Sequence, residues 1–417
     1  MTNLLTKTLF IFYEILWIIF IPLLKINKRI REGYNERKIK GFELTRKDIW
    51  IQAASAGESY LVETLLKHAP TNRKMDILLT TCTSQGVEIL EGIKKKNSNS
   101  NINLEIRYLP FDRPSLMRKA VKVYKPEVMV VLETEIWPGL FLALKKENIK
   151  TIIVNGRITQ KSINGYKKLF FLWPKLAPTK ILATKELDAK HFKELFHTDT
   201  EVMNNIKFER IPEVDKISEN ELSKILGEKF LVLGSVREEE EESVTYIVKE
   251  ILKRNPDTTI GLFPRHMHRI EAWQKIFNEN SINYILRSEI STPIPNTVIL
   301  WDKFGELSKA YEIASAVFVG GTLSNLGGQN FLEPVMCGVI PVIGPSWENF
   351  YWLGNEIVEN GLVKILPDEK GVAQTLSSNL INPQPKDTVI KRVGIYLESK
   401  KGGSKKVWEN IFNLVNL

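Results

Sequence analysis

Two successive series of short apolar, β-branched runs set what this chain can fold into. The first comprises IWIQA (49–53), DILLTT (76–81), LEIRYL (104–109), EVMVVLE (127–133), TIIVNG (151–156) and KILATK (180–185). The second comprises FLVLGS (230–235), TIGLFP (259–264), NYILR (283–287), TVILW (297–301), AVFVGG (316–321) and VIPVIG (339–344). Amphipathic segments such as SYLVETLLKHA (59–69) and LFLALKKEN (140–148) lie between most of them. Apolar strands alternating with helices predict parallel sheets covered on both faces. A polar stretch, PEVDKISENELSK (212–224), breaks the alternation after Ile211. The expected division is therefore residues 1–30 as an anchor with its basic flank, 31–211 as one Rossmann-like domain and 212–417 as a second. A chain of 417 residues is long enough to give each domain its own core.

Within the second series, Val317 to Phe350 reads as strand, glycine loop, short helix and strand, a βαβ unit. Its loop, with Gly320-Gly321 and Gly327-Gly328, follows the carboxyl end of a strand and precedes a helix start. Free N–H groups and the helix dipole there favour a phosphate or another anion.

Leu4 to Leu24 is roughly long enough to cross a bilayer, although Lys7 and Glu14 interrupt it. No small-residue cleavage site follows, which argues against a removable signal peptide. The next residues, KINKRIREGYNERKIK (25–40), are dense in Lys and Arg. The positive-inside rule keeps that flank and all that follows it cytoplasmic, and the basic run suits anionic lipid. A spanning helix and an amphipathic helix lying in the interface both fit. The net charge of +9 then has a membrane surface as its partner. No aromatic-basic RNA module and no zinc spacing points to nucleic acid. Cys82 and Cys337 share no metal-ligand spacing, and two cysteines exclude a disulfide framework, so a reducing compartment is expected.

Candidate site residues cluster at the ends of the apolar runs. Ser55-Ala-Gly-Glu58 is a capping box, or it presents Glu58 as a general base. Glu133-Thr-Glu135 ends another run, and adjacent carboxylates there call for a cation or a substrate hydroxyl to balance them. Lys207, in Asn205-Ile-Lys-Phe-Glu209, is either a solvated charge or a neutraliser of a leaving phosphate. Gly234-Ser235-Val236-Arg237 offers loop amides to a phosphate, with the acidic run Glu238 to Glu242 reading as a solvated helix start. Arg265, after Pro264, can grip a carboxylate or phosphate bidentately. His266 and His268 lack a third metal ligand. Phe304-Gly305-Glu306 precedes a helix and offers loop amides to a base. Asn330-Phe331-Leu332-Glu333 is a second capping box whose Glu333 also suits ribose hydroxyls. No Asp-x-Asp pair and no P-loop signature occurs, which disfavours a metal held on a diphosphate and a P-loop kinase.

Taken together these segments resemble the bacterial transferases of 3-deoxy-D-manno-octulosonic acid (Kdo). The resemblance rests on the hydrophobic N-terminus and Glu36-Arg37, on ASAGE, YLPFD, LETEIWP, NGRI, IKFE, FPRH and FGEL, and on GGTLSNLGGQNFLEP through GPSWENF. It implies an α/β GT-B glycosyltransferase, two Rossmann-like domains facing a cleft, with an N-terminal membrane-anchor helix. It implies inverting transfer of Kdo from CMP-Kdo to the lipid A precursor, at the cytoplasmic face of the inner membrane, with no metal or other cofactor. Glu58 is the implied general base, and Glu133 and Lys207 stabilise the transition state. Pro264, Arg265, Phe304, Gly305, Glu306, Asn330, Phe331, Leu332 and Glu333 are the implied CMP-binding positions. The chain departs from the family pattern at Asn204-Asn205, at Phe304 where methionine is usual, and at Val335 where alanine is common. Two other readings fit the same residues: a GT-B transferase using a different nucleotide sugar, and a non-catalytic membrane-bound nucleotide sensor.

Overall fold

A computed structural model describes residues 2–40, 44–70, 72–97, 101–212, 220–227, 229–290, 292 and 294–415. Of the polar stretch 212–224 that breaks the alternation, 213–219 lie outside the described residues. The chain forms two compact units, residues 1–211 with 400–417, and residues 212–399.

The first unit holds β1 (Ile49–Gln52), β2 (Met75–Thr81), β3 (Ile102–Tyr108), β4 (Val128–Leu132), β5 (Lys150–Gly156), β6 (Lys180–Ala183) and β7 (Thr200–Val202). They pair in parallel in the order β3-β2-β1-β4-β5-β6-β7. Ile51 of β1 lies opposite Leu79 and Val130, so the centre of the sheet is apolar on both sides of the strand. The second unit repeats the plan with β8 (Phe230–Val236), β9 (Thr259–Pro264), β10 (Tyr284–Leu286), β11 (Thr297–Leu300), β12 (Ala316–Val319), β13 (Val342–Ile343) and β14 (Lys364–Ile365). Their order is β10-β11-β9-β8-β12-β13-β14. Each expected run forms a strand. The edge strands β7 and β14 were not foreseen, because three and two residues without an apolar run carry no period to read.

Two of the expected boundaries need correction. Residues 400–417 belong with the first unit, not the second. Their helix, Gly403–Val415, is amphipathic and buries Val407, Trp408 and Ile411 in the core that includes Ile51, Leu61 and Leu65. The Trp408 indole donates to the Leu65 carbonyl (2.8 Å), and the Ser404 N–H donates to Glu209 Oε1 (3.0 Å). A Cβ at Gly403 would lie 2.3 Å from the Asn204 carbonyl oxygen, so only glycine allows the approach. The N-terminal residues also pack within the first unit, where Phe10 joins the core beside Leu172 and Trp173. Nor does the basic flank act as a uniform lipid-facing run. Arg37 is buried and donates to the Leu109 (3.0 Å) and Cys82 (2.8 Å) carbonyls.

Candidate active site

The helix Ala56–Lys67 starts directly after β1, and Glu58 is its third residue. Ser55 Oγ accepts from the Glu58 N–H (3.3 Å) and donates to Glu58 Oε1 (2.9 Å). The Ala54 N–H donates to Glu58 Oε2 (2.8 Å). The Ser55 cap is therefore formed, with Glu58 reaching back to the Ala54 N–H, one residue before the cap, rather than to that of Ser55, and these bonds also fix the carboxyl group in one place. Glu58 is 8% exposed. Burial pushes its carboxyl up to about 7, and the charges of Glu135 and Glu133 add to the effect against the Ala54 and Ser55 hydrogen bonds.

The carboxyl end of β4 supplies those neighbours. Glu133 takes φ 53, a left-handed conformation that costs a residue with a Cβ about 1–2 kcal/mol. Its N–H donates to the Val154 carbonyl of the adjacent β5 (2.9 Å). Lys207 Nζ lies 2.8 Å from Glu133 Oε1, each side chain about a quarter exposed. Burial and the charge of Glu133 raise the Glu135 carboxyl as well. Three carboxylates and a single ammonium thus share one end of the first sheet, leaving excess negative charge that favours a proton on Glu58.

Lys207 is set by its backbone. It lies in the short 3-10 turn Ile206–Arg210, capped by Asn205, whose Oδ1 accepts from the Lys207 N–H (3.0 Å). Asn155, at φ 55 in the bulge of β5, accepts from the Ile206 N–H through Oδ1 (3.0 Å). The Nδ2 groups of both asparagines are buried without a hydrogen-bond partner. Of these two, Asn155 was carried only as part of a motif; its role here depends on the β5 bulge, which no local pattern announces.

The second unit differs from expectation at the glycine loop after β12. The N–H groups expected to receive a phosphate are already taken. Those of Gly321, Thr322 and Leu323 donate to the Glu240 carboxylate at 2.5, 2.7 and 2.7 Å. Those of Gly327, Gly328 and Gln329 donate to Ser346 Oγ, the Gly321 carbonyl and the Gly320 carbonyl. Glu240, read as part of a solvated acidic run, is 1% exposed. The anion site exists, and a resident carboxylate fills it.

The remaining candidate positions divide by what their side chains touch. Arg265 follows β9, its N–H held by the Val236 carbonyl (2.8 Å) and its Nε by Gln329 Oε1 (3.2 Å). Beside it, the His266 and His268 rings stack at 5.5 Å. Pro264 pairs with Val236 across the bulge of β8, where Ser235 takes φ 55. Phe304 is 82% exposed and Gly305 takes φ 81, so this loop presents an aromatic ring and open backbone. The Glu306 carboxylate is committed to Arg287 (3.0 and 3.1 Å) and the Trp301 indole (2.9 Å), which makes it a brace for that loop. Asn330 Nδ2 donates to Glu333 Oε1 (2.8 Å), and its Oδ1 accepts from the Leu332 N–H (3.2 Å). Phe331 is buried against Trp347 and Phe350, and Leu332 is buried too, so their side chains anchor the segment and only their backbone can meet a ligand.

Comparison with known proteins places these features in a lineage. Residues 27–210 match the family described as 3-deoxy-D-manno-octulosonic-acid transferase (kdotransferase). A bifunctional glycosyltransferase/methyltransferase of Fusobacterium nucleatum is 28% identical over 93% of this chain and 62% of its own length. The chain thus spans under two thirds of that relative. A 3-deoxy-D-manno-octulosonic acid transferase of Rickettsia conorii is 29% identical over 76% of this chain and 68% of its own length. Among solved structures, a glycosyltransferase from Rickettsia africae aligns with a TM-score of 0.54 at 10% identity, covering 89% of this chain and 99% of that one. That likeness is one of fold, the GT-B fold of two Rossmann-like units.

Proposed function

We propose that this chain is a glycosyltransferase of the Kdo transferase family, whose model matches residues 27–210, and that it transfers Kdo from CMP-Kdo to a lipid A precursor in lipopolysaccharide assembly. The observation that carries this reading is the state of Glu58. Its carboxyl is buried, fixed by Ser55 and Ala54, and pushed up to about 7 beside the Glu133–Lys207 pair. A group of that affinity takes a proton near neutral pH and returns it to solvent, as a general base must.

In the proposed reaction, Glu58 takes the proton of the acceptor hydroxyl as its oxygen bonds to the anomeric carbon of Kdo. The bond from that carbon to the CMP phosphate breaks, and the electron pair leaves with the phosphate. Attack from the face opposite the leaving group inverts the anomeric centre. Positive charge developing on the sugar is offset by Glu133, and negative charge on the leaving group by Lys207. Lys207 Nζ, 2.8 Å from Glu133 Oε1 and about a quarter exposed, brings a positive charge to this end of the sheet. CMP is received by Arg265 and by the backbone of 304–306 and 330–333, with Phe304 beside the base. The donor carries one phosphate, so this scheme uses no metal ion. The protein works at the cytoplasmic face of the inner membrane, attached through its N-terminal helix.

The test is transfer from in situ generated CMP-Kdo to a tetra-acylated lipid A precursor, with the mass of the lipid read out. A product heavier by whole Kdo units supports the reading and counts the sugars added. No product from folded, CMP-binding protein refutes the acceptor assignment.

A further inference from the structure

The N-terminal helix, Thr2–Leu24, has the length and composition of a membrane span. Its contacts point elsewhere. At 100° per residue, one side of the helix carries Thr6, Tyr13, Glu14, Trp17 and Ile21, and each of these touches the first unit. Lys175 Nζ donates to Thr6 Oγ1 (2.7 Å). The Tyr13 hydroxyl donates to Asp112 (2.8 Å). Glu14 accepts from Arg113 Nε, and from the Ser115 N–H (3.0 Å) and hydroxyl (2.6 Å). Trp17 packs on Phe111, and the Tyr34 hydroxyl donates to the Ile21 carbonyl (3.1 Å).

These contacts run from residue 6 to residue 21, about 22 Å of helix at 1.5 Å per residue. A crossing helix needs about 20 residues free of the globular part to pass about 30 Å of hydrocarbon. Here only short ends are free. Spanning would also drag the buried Asp112 and the partly buried Arg113, with their loop, into the bilayer centre, where ionisable groups are costly.

The opposite side of the helix is exposed and apolar: Leu4, Ile11, Phe12, Ile15, Ile18 and Ile19. Beyond its end, Lys25, Arg31 and Lys40 are exposed and basic. A few residues before Lys175 in the chain, Leu169 and Phe170 are exposed as well, Phe170 by 72%, directly after Lys167 and Lys168. An apolar ridge edged by positive charge fits one occupant, an anionic bilayer surface.

We propose that the helix lies in the plane of the membrane as a fixed part of the first unit, with its Leu4–Ile19 ridge in the acyl boundary and Leu169-Phe170 as a second point of insertion. The proposal rests on the membrane attachment given above and specifies its mode. It sets the active-site end of the unit at a fixed height over the bilayer, which suits an acceptor whose acyl chains stay in the lipid.

Two measurements on the full chain test it. The first is sedimentation with phosphatidylglycerol-containing vesicles. Ile15→Asp/Ile19→Asp should bind at least tenfold more weakly than wild type, and Phe170→Asp several-fold more weakly. Unchanged binding by Phe170→Asp overturns the second insertion point. The second adds a protease-cleavable tag before Met1 in inverted inner-membrane vesicles. Cleavage by protease added outside is the expected result. Protection that lasts until detergent is added shows a span and overturns the proposal while leaving attachment intact. A wild type that binds no vesicles refutes attachment itself; if it is then dimeric, and Ile15→Asp/Ile19→Asp monomeric, the ridge belongs to a second copy of this chain.

Discussion

Glu58 and Glu240 are the same local device in two different surroundings. Each is the third residue after a helix cap, each returns its carboxylate to the backbone before the helix, and each is buried. Glu240 receives four backbone N–H groups, from Arg237, Gly321, Thr322 and Leu323. Glu58 receives one backbone N–H and one hydroxyl, and faces Glu133 and Glu135. The first carboxylate is saturated and serves structure. The second carries an electrostatic cost that the fold leaves in place, which is how a buried group stays ready to exchange a proton. Capping and catalysis are therefore not rival explanations for Glu58; the cap positions the group and its neighbours set its affinity.

Substitution should separate the two glutamates sharply. Glu58→Gln keeps the cap geometry and removes the base, so transfer should fall about 10³-fold with CMP affinity unchanged. Its effect on stability should have the opposite sign. A carboxyl at about 7 when folded and near 4.5 when unfolded holds its proton more tightly in the folded state. The charged form therefore destabilises the fold as pH rises from about 4.5 to about 7, by up to about 3 kcal/mol above that window. Glu58→Gln should melt higher than wild type at pH 8 and no higher at pH 4.5. Equal melting at both would break the comparison, since Glu58 would then carry no such cost.

Lys207→Met comes next in size. It removes the ammonium paired with Glu133, so kcat should drop about 10²-fold, and the acid limb of the pH–rate profile should move up as Glu58 gains an unbalanced neighbour. In the second unit, Glu240→Gln leaves three loop N–H groups sharing one neutral oxygen. Urea unfolding should show a loss of about 2 kcal/mol. No loss would break the comparison, since Glu240 would then not be holding the loop. The smallest effect is expected from Glu135→Gln. It removes one of the charges that raise Glu58, so the midpoint of the acid limb in kcat/KM should fall by about half a pH unit.

Much of the fold was legible from the chain because β-branched runs and glycine-ended strands are local signals. The foreseen strands form, and the edge strands β7 and β14 escape because they are too short to show a period. The closing helix Gly403–Val415 was assigned by adjacency, and adjacency misled: an amphipathic helix goes to whichever core accepts Trp408, and that core is the first unit's. The candidate residues of the first unit were legible as motifs, Glu58, Glu133 and Lys207 among them. Their coupling was not, because charge acts between strands far apart in sequence.

The sequence by itself determined the two parallel sheets, the strand ends where polar residues gather, the apolar N-terminal segment and the resemblance to a family. Those follow from periodicity and composition, which are written along the chain. Tertiary structure alone decided that the glycine loop after β12 holds Glu240, that Glu306 braces its loop through Arg287 and Trp301, and that Glu14 turns inward to Arg113 and Ser115. In each case a charged side chain chose its partner across a long separation. That choice depends on which N–H groups, cations and hydroxyls the fold brings within hydrogen-bond reach of a group shielded from water.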